Sequence, residues 1–172
     1  MLHPVSLAKV AQAKYPEWVV LIVTVDDAGN VDVMPAGWAM YASTEPCLFA
    51  VAVNQKQHTN KLVREGGDFV IAIPGPGMEE IIRFCGSHSG RDTDKVAACG
   101  IRTMPSSQVR PPLLVGARAN LECKLYQAHE AGDHTIFVGE VVASWVDDDV
   151  RGRLMNFGDG RFALAQVLSD AG

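Results

Sequence analysis

Alternation of apolar and polar positions predicts that this chain is built mainly from β-strands. Apolar and β-branched residues dominate residues 18–25, which read WVVLIVTV, and residues 47–53, which read CLFAVAV. In residues 113–128, small or apolar side chains occupy every second position and polar ones lie between them. A period of two is typical of strands. We therefore predict strands over these segments and over 31–34, 68–73 and 134–146.

Turn-forming residues separate these strands and predict hairpin connections. The run from Asp26 to Asn30 follows the first strand, and the run from Glu130 to Asp133 precedes the last long one. Asp, Asn and Gly are the residues that tight turns favour. Strands in hairpin order favour a closed antiparallel β-barrel over a doubly wound parallel sheet. We predict a mainly β fold in a single domain over residues 1–172.

Short helices are predicted in the connections between strands. Residues 6–14 have a helical pattern that stops at a Tyr-Pro step, and residues 78–85 begin with two glutamates after a Pro-Gly-Pro-Gly break. Acidic residues in the first turn stabilise a helix. Residues 60–65 and 96–100 are the other two helical segments. We expect the first helix to be an arm or lid against the main body, and residues 161–168 to form a last strand or edge.

Composition and charge argue against several function classes. The formal net charge is -5 and the pI is near 5.5, so the chain has no overall attraction to nucleic acid or to an anionic membrane. No apolar run approaches the ~20 residues of a membrane span, and the first residues lack the pattern of a signal peptide. We expect a cytoplasmic protein with no nucleic-acid and no membrane partner.

Four cysteines, Cys47, Cys85, Cys99 and Cys123, lie far apart among apolar neighbours. A chain of this length needs no disulfide, so the pattern indicates buried free thiols in a reducing compartment. Neither C-x-x-C nor H-E-x-x-H occurs, and we therefore predict no metal site.

The polar turn after the CLFAVAV segment has the features of an anion site. It leads from Val53 through Asn54, Lys56 and His58 to Thr59, where a helix is predicted to begin. Helix starts present free N–H groups and a partial positive charge, which favour a bound phosphate. Thr59 is a suitable residue to cap this helix, and capping alone is the alternative role for it.

Residues 35–43, which read PAGWAMYAS, are small residues around one large aromatic side chain and fit neither a regular strand nor a helix. Small side chains allow a flat ligand to approach the backbone closely. A buried connection with Trp38 as a core residue is the alternative interpretation. The residues that we assign to this ligand surface are Met34, Pro35, Ala36, Gly37, Trp38 and Ala39.

A second polar loop, Ser89 to Lys95, precedes another short helix. The five residues from Gly86 to Gly90 resemble a hydrolase nucleophile elbow. Their central residue is His88 and no strand precedes them, so a serine hydrolase is not supported.

Four sequence blocks carry a resemblance to a known family. They are residues 34–38, 57–62, 89–95 and 132–141, and their order and spacing extend over roughly residues 18 to 146. With these blocks, the chain resembles the flavin reductase-like, FMN-binding split-barrel family, which includes flavoredoxin-type proteins.

The resemblance implies an antiparallel split β-barrel of Greek-key type that forms a homodimer, with FMN in a groove near the interface. It implies that Met34 to Ala39 line the isoalloxazine ring and that Val53 to Thr59 hold the phosphate. The loop from Ser89 to Lys95, including Gly90, would close over the cofactor. Family members often have a hydroxyl residue where this chain has Pro35. The resemblance implies a side-chain hydrogen bond from that hydroxyl toward the flavin N5 edge, and in this chain a backbone N–H is expected to replace it.

Individual site residues have two interpretations each. Lys95 either contacts the flavin or is a surface lysine in the first turn of a helix. His134 either orients nicotinamide and assists proton transfer, as a catalytic residue, or is a structural histidine. Trp38 is expected near the cofactor.

The function implied is that of an FMN-binding oxidoreductase that takes hydride from NADH or NADPH and passes electrons onward. One alternative is a flavoredoxin-type electron-transfer protein that makes no direct use of nicotinamide. Another is a non-catalytic flavin-binding protein, because a fold does not fix function.

Overall fold

The computed structural model describes residues 2–165 and contains twelve strands and four helices within them. The strands are β1 Glu17–Trp18, β2 Val20–Val25, β3 Val31–Ala36, β4 Ala39–Thr44, β5 Cys47–Asn54, β6 Asp68–Pro74, β7 Thr103–Met104, β8 Leu113–Leu114, β9 Ala117–Ala131, β10 His134–Val146, β11 Arg153–Asn156 and β12 Phe162–Ala165. The helices are α1 Leu7–Gln12, α2 His58–Gly66, α3 Glu79–Ser87 and α4 Lys95–Cys99.

Seven strands form the main sheet in the order β3-β2-β6-β9-β10-β5-β4, and each neighbouring pair is antiparallel. The two edge strands, β3 and β4, follow each other in the chain and are joined by Gly37 and Trp38 alone. Because two residues span only about 10 Å, the edges must lie close together and the sheet curves back on itself. The mainly β, antiparallel fold is confirmed.

Both faces of the central strands are buried, which explains their nearly continuous apolar sequences. On one face, Val20 and Ile22 of β2 pack with Phe49, Phe69 and Phe137. On the opposite face, alternate residues of the same strands pack under α3 and α4 in a second cluster. The three phenylalanines are fully buried, so the first cluster forms the interior of the curved sheet.

Three expectations about local structure are wrong. The first helix does not pack against the main body, because no residue of α1 is buried and Leu7 is 88% exposed. Residues 39–44 form β4, which pairs with β5 at the sheet edge, although small residues suggested an irregular connection. Thr59 does not cap α2, since Gln57 is the N-cap and provides no side-chain hydrogen bond.

The polar face expected for residues 113–128 is partly covered. Glu122 on β9 is fully buried and accepts hydrogen bonds from the backbone N–H groups of Ser107 and Gln108 and from the Trp145 indole. The connection containing Ser107 packs over this face, which the alternation along one strand does not reveal. The predicted last strand is observed at Phe162–Ala165, and its residues 166–168 lie outside the described part of the chain.

Candidate functional site

A cavity opens where the end of β3, the turn after it and the end of β5 meet. We call this space, of about 220 Å³, cavity A. Its floor includes the backbone of Ala36 and Gly37, and small side chains there leave the main chain accessible. Cavity A is lined by Lys14, Glu17, Met34, Pro35, Ala36, Gly37, Trp38, Ala52, Val53, Asn54, Gln57, Cys85, Gly86 and His134.

Trp38 and His134 form a ring pair on one wall of cavity A. Their ring centroids are 4.9 Å apart, with the planes inclined by 36°. Trp38 is 54% exposed, so the alternative of a core tryptophan is wrong. The His134 Nδ1 atom lies 2.7 Å from Asp133 Oδ1, and this contact leaves Nε2 as the ring nitrogen available to a ligand.

Asp133 connects the ring pair to the polar turn after β5. Its second carboxylate oxygen accepts a hydrogen bond of 3.2 Å from the Asn54 side chain. His134 and Asn54 are register partners in the β5–β10 pair. The hydrogen bond with His134 holds the pKa of Asp133 below its usual value, so the carboxylate is ionised at neutral pH and fixes the orientation of both neighbours.

The segment before β2 covers the other wall of cavity A. Lys14 and Glu17 form an ion pair of 2.7 Å, and the Lys14 ammonium lies 5.4 Å from the centre of the Trp38 ring. A Cβ atom on Gly37 would lie 2.5 Å from Glu17 Oε1. Glycine at position 37 therefore allows this segment to pack directly on the turn.

The N-cap of α2 lies at the border of cavity A. The N-cap residue, Gln57, lines the cavity and supplies no side-chain cap. The Asn60 N–H donates to the Gln57 carbonyl at 3.2 Å, so the donors without an intrahelical partner in this turn are the N–H groups of His58 and Thr59. The preceding turn is stabilised by a 3.0 Å hydrogen bond from the Lys56 N–H to Asn54 Oδ1. The Arg91 guanidinium donates to the Lys56 carbonyl at 3.0 Å, which places a second cation near this turn.

A larger cavity of about 670 Å³ lies on the other side of the same helix start. This space, cavity B, contains four aspartates and one arginine in its wall. The buried Nδ1 atom of His58 has no hydrogen-bond partner. Cavity B is lined by Asp26, Gly29, Asn30, Val31, Asp32, His58, Gly90, Arg91, Asp92, Thr93, Asp94, Val96 and Ala97.

A buried cluster of charged groups lies beneath this region. Thr59 donates a hydrogen bond of 2.6 Å to Asp32 Oδ2, and the Lys95 ammonium lies 2.8 Å from Asp32 Oδ1. Lys95 also donates to the Val33 carbonyl at 2.9 Å. All three side chains are at least 97% buried, so the alternative of Lys95 as a surface lysine is wrong. Neither Thr59 nor Lys95 lines cavity A or cavity B.

The predicted site residues therefore divide into three groups. Those in cavity A are Met34, Pro35, Ala36, Gly37, Trp38, Val53, Asn54 and His134. Those in cavity B are His58 and Gly90. Those that line neither are Ala39, Lys56, Thr59, Ser89 and Lys95.

Sequence reasoning missed several residues of cavity A. Lys14 and Glu17 were overlooked because they precede the first predicted strand, and nothing in their spacing relates them to Trp38. Asp133 does not line cavity A, but it orients His134, which does; its position next to His134 in the sequence is the signal that could indicate this carboxylate–histidine pair. Cys85 also lines cavity A, but burial raises the pKa of its thiol to about 12. The Cys85 thiol is therefore protonated at neutral pH, which disfavours a role as a nucleophile.

Comparison with known proteins identifies the family. The profile of the Flavin reductase like domain matches residues 13–165. The chain belongs to this family. It is 29% identical to an NADH-dependent flavin reductase of Rhodococcus sp. over 168 residues, which are 96% of this chain and 88% of the relative.

Solved structures agree with this assignment. The FMN-binding protein from Thermus thermophilus, solved with bound 1-cyclohex-2-enone, aligns with a TM-score of 0.80 and 28% identity over 95% of this chain and 93% of that one. The flavoredoxin of Desulfovibrio vulgaris (Miyazaki F) aligns with a TM-score of 0.80 and 26% identity over 91% of each chain. The fold is thus the flavin reductase split barrel.

Residues 2–165 contain neither a membrane-spanning helix nor a cluster of metal ligands. No helix in this range is long and apolar enough to cross a membrane. No group of three or more His, Cys, Asp or Glu side chains in this range is arranged to hold a metal ion.

Proposed function

We propose that this protein binds FMN and acts as an NAD(P)H-dependent flavin reductase. The observation that carries the proposal is cavity A, where the small-residue turn at 34–38, the uncapped start of α2 and the Trp38–His134 pair lie around one space. Membership of the flavin reductase family and similarity to an NADH-dependent flavin reductase and an FMN-binding protein support it.

The residues of cavity A fit a flavin. A flat ring needs backbone that it can approach closely, and Ala36 and Gly37 provide it. A phosphate needs N–H donors and positive charge. Beside cavity A, the first turn of α2 and Lys56 would supply them, together with Arg91, which lines cavity B and donates to the Lys56 carbonyl. When bound, FMN would supply the hydride-accepting and electron-transferring chemistry that amino-acid side chains lack.

The side chains around this position would control access and protonation. The Trp38 indole and the Lys14–Glu17 pair would exclude water from the ligand. The Asp133 carboxylate would hold His134 in one orientation, with Nε2 free to bind the nicotinamide amide or to move a proton. We propose His134 as the catalytic residue on this basis.

We also propose that two copies of the chain form a homodimer with the ligand near the interface. Cavity A is smaller than the ~300–1,000 Å³ of most ligand pockets, so a single chain would enclose only part of FMN. Beside it, Met40 and Tyr41 on the edge strand β4 are 60% and 57% exposed. A second chain would cover both the strand edge and the open side of the ligand.

We propose a reducing cytoplasm as the compartment, because all four cysteines are free thiols.

A flavoredoxin-type electron carrier is the second candidate function. The similarity to the Desulfovibrio vulgaris flavoredoxin favours it.

Spectroscopy and rapid mixing test these proposals. The protein purified without added ligand, and then titrated with FMN and with FAD, should bind FMN and quench its fluorescence. Mixing the loaded protein with NADH or NADPH without oxygen should bleach the flavin within seconds. Binding without bleaching would favour the electron carrier, and no binding of either flavin would refute both functions. Light scattering after gel filtration should give the mass of two chains.

A further inference from the structure

Asp32 lies at the centre of a cluster that joins three segments around the proposed flavin site. It is on β3, two residues before Met34. One carboxylate oxygen accepts a hydrogen bond from the hydroxyl of Thr59 on α2, and the other forms an ion pair with the ammonium of Lys95 on α4. The strand that enters cavity A is therefore fixed to the starts of both helices by one side chain.

The loop before α4 also rests on this carboxylate. A Cβ atom on Gly90 would lie 2.3 Å from Asp32 Oδ1 and 2.7 Å from Asp32 Cγ. Any side chain at position 90 would push the loop away from β3. Arg91, the next residue, donates a hydrogen bond to the carbonyl of Lys56 in the polar turn. A displacement of this loop would therefore also displace the turn.

Burial makes the geometry of this cluster strict. The side chains of Asp32 and Lys95 are each 3% exposed, and charges without water must keep their partners. Thr59 is the second residue of α2, within the turn whose amides have no side-chain cap. A shift of the Thr59 hydroxyl would therefore also shift those amides.

We propose that Asp32 is a positioning residue for phosphate binding: through Thr59 it sets the place of the first amides of α2, and through Lys95 and Gly90 it holds the loop that carries Arg91. This inference rests on the proposed binding of FMN. It assigns to Thr59 and Lys95 an indirect role, in place of direct contact with the ligand.

The test compares FMN with riboflavin, which lacks the phosphate. Fluorescence quenching would give the dissociation constants for wild type, Thr59→Val, Asp32→Asn and the double variant. We expect each variant to bind FMN about tenfold more weakly, the loss of about one aligned hydrogen bond, while riboflavin affinity stays unchanged. The double variant should be no weaker than either single one, because both remove the same link.

Glu122→Gln is the matched control. It alters a second buried, multiply hydrogen-bonded carboxylate that lines neither cavity. It should lower the melting temperature and leave both affinities unchanged. If Asp32→Asn does not fold, Asp32→Asn combined with Lys95→Met removes both buried charges and takes its place.

Four outcomes would contradict the inference or the proposed function on which it rests. Weaker FMN binding in Thr59→Val but not in the Asp32 variant would mean that Thr59 contacts the phosphate directly. Equal losses for FMN and riboflavin would indicate general loosening of the fold. Wild-type protein that binds neither flavin would refute the proposed function, whereas normal FMN binding by every variant would refute this inference alone.

Discussion

The imidazole of His134 lies against the indole of Trp38, with 4.9 Å between the ring centroids. The two residues lie far apart in the sequence, since Trp38 joins β3 to β4 and His134 begins β10. Their contact is on the wall of cavity A, and Trp38 remains half exposed. A flat ligand in the cavity would thus meet a preformed aromatic surface beside a group that is able to transfer protons.

Replacing His134 with Gln should slow flavin reduction by NADH about a hundredfold, the usual scale for loss of one proton-transferring or orienting group. Affinity for FMN should change less than threefold, because the proposed phosphate site is at the start of α2 and not at His134. Stopped-flow absorbance measures the rate and fluorescence quenching the affinity. His129→Gln, an exposed histidine of the same hairpin, should leave the rate unchanged. An unaltered rate in His134→Gln would assign this histidine a structural role only.

Replacing Gly37 with Ala should detach the segment before β2 without unfolding the barrel. The new Cβ would lie 2.5 Å from the flexible end of Glu17, which can move and release Lys14. Limited trypsin digestion should then cleave faster after Lys14, while the melting temperature falls by less than about 4 °C, roughly 1 kcal/mol or less for a chain of this size. Gly29→Ala is the control for general destabilisation: its φ of +87° strains an alanine, although no atom lies within 4 Å of the Cβ position, so it should lower the melting temperature without faster cleavage after Lys14. Unchanged digestion would show that the contact with Glu17 is not needed to hold the segment.

Replacing Gly139 with Ala should destabilise the barrel by about 1–3 kcal/mol, because it overpacks a closed core. The added methyl group would lie 2.4 Å from Phe69 Cζ and 2.8 Å from Cys123 Cβ, and neither atom has free space. Urea unfolding measures the difference. A combined Gly139→Ala and Phe69→Leu variant should recover part of the loss, and full stability in the single variant would mean that the core rearranges freely.

Glu122 should make stability depend on pH in the acid range. Burial tends to raise the pKa of its carboxyl, but the hydrogen bonds from Ser107, Trp145 and Gln108 outweigh burial and lower the pKa below its usual value. Because the folded pKa is lower than the unfolded one, the stabilisation is complete above the unfolded value of about 4.3 and is lost as pH falls through the folded value.

Glu122→Gln should therefore lower stability at pH 7 by about 2 kcal/mol, the usual cost of leaving a buried donor unpaired. It should also reduce the fall in stability between about pH 5 and pH 3. Melting temperatures across this range measure both effects. Parallel curves for variant and wild type would show that another carboxylate controls the acid transition.

Much of the fold could be predicted because the strands are long and the turns carry clear signals. The hairpin between β2 and β3 follows directly from Asp26 and Asn30, whose side chains and backbone are hydrogen-bonded to each other as expected for such a turn. The family resemblance, and not the periodicity, predicts that residues 34–38 and the turn after β5 belong to one site; residues of both segments line cavity A. Local periodicity alone does not relate segments that meet only through the order of strands in the sheet.

What could not be predicted depends on partners far away in the sequence. Thr59 and Lys95 have the residue types of a phosphate site, yet both bind Asp32, which sits 27 and 63 positions earlier and gives no signal of its own on an apolar strand. Glu122 alternates like a solvent-facing residue and is buried by a connection without regular structure. The sequence pattern indicates that Lys95 and Glu122 are exposed, but both are buried. The buried carboxylate of Asp32 is the partner of Lys95, and Glu122 is itself a buried carboxylate.

The two-residue connection between the edge strands β3 and β4 links ligand binding to the stability of the barrel. Only Gly37 and Trp38 bridge the two margins of the curved sheet, and the same two residues face cavity A. A molecule bound there would contact both residues of this connection and stabilise it. Binding of a flavin in cavity A should therefore raise the melting temperature, even in variants that have lost all ability to transfer electrons.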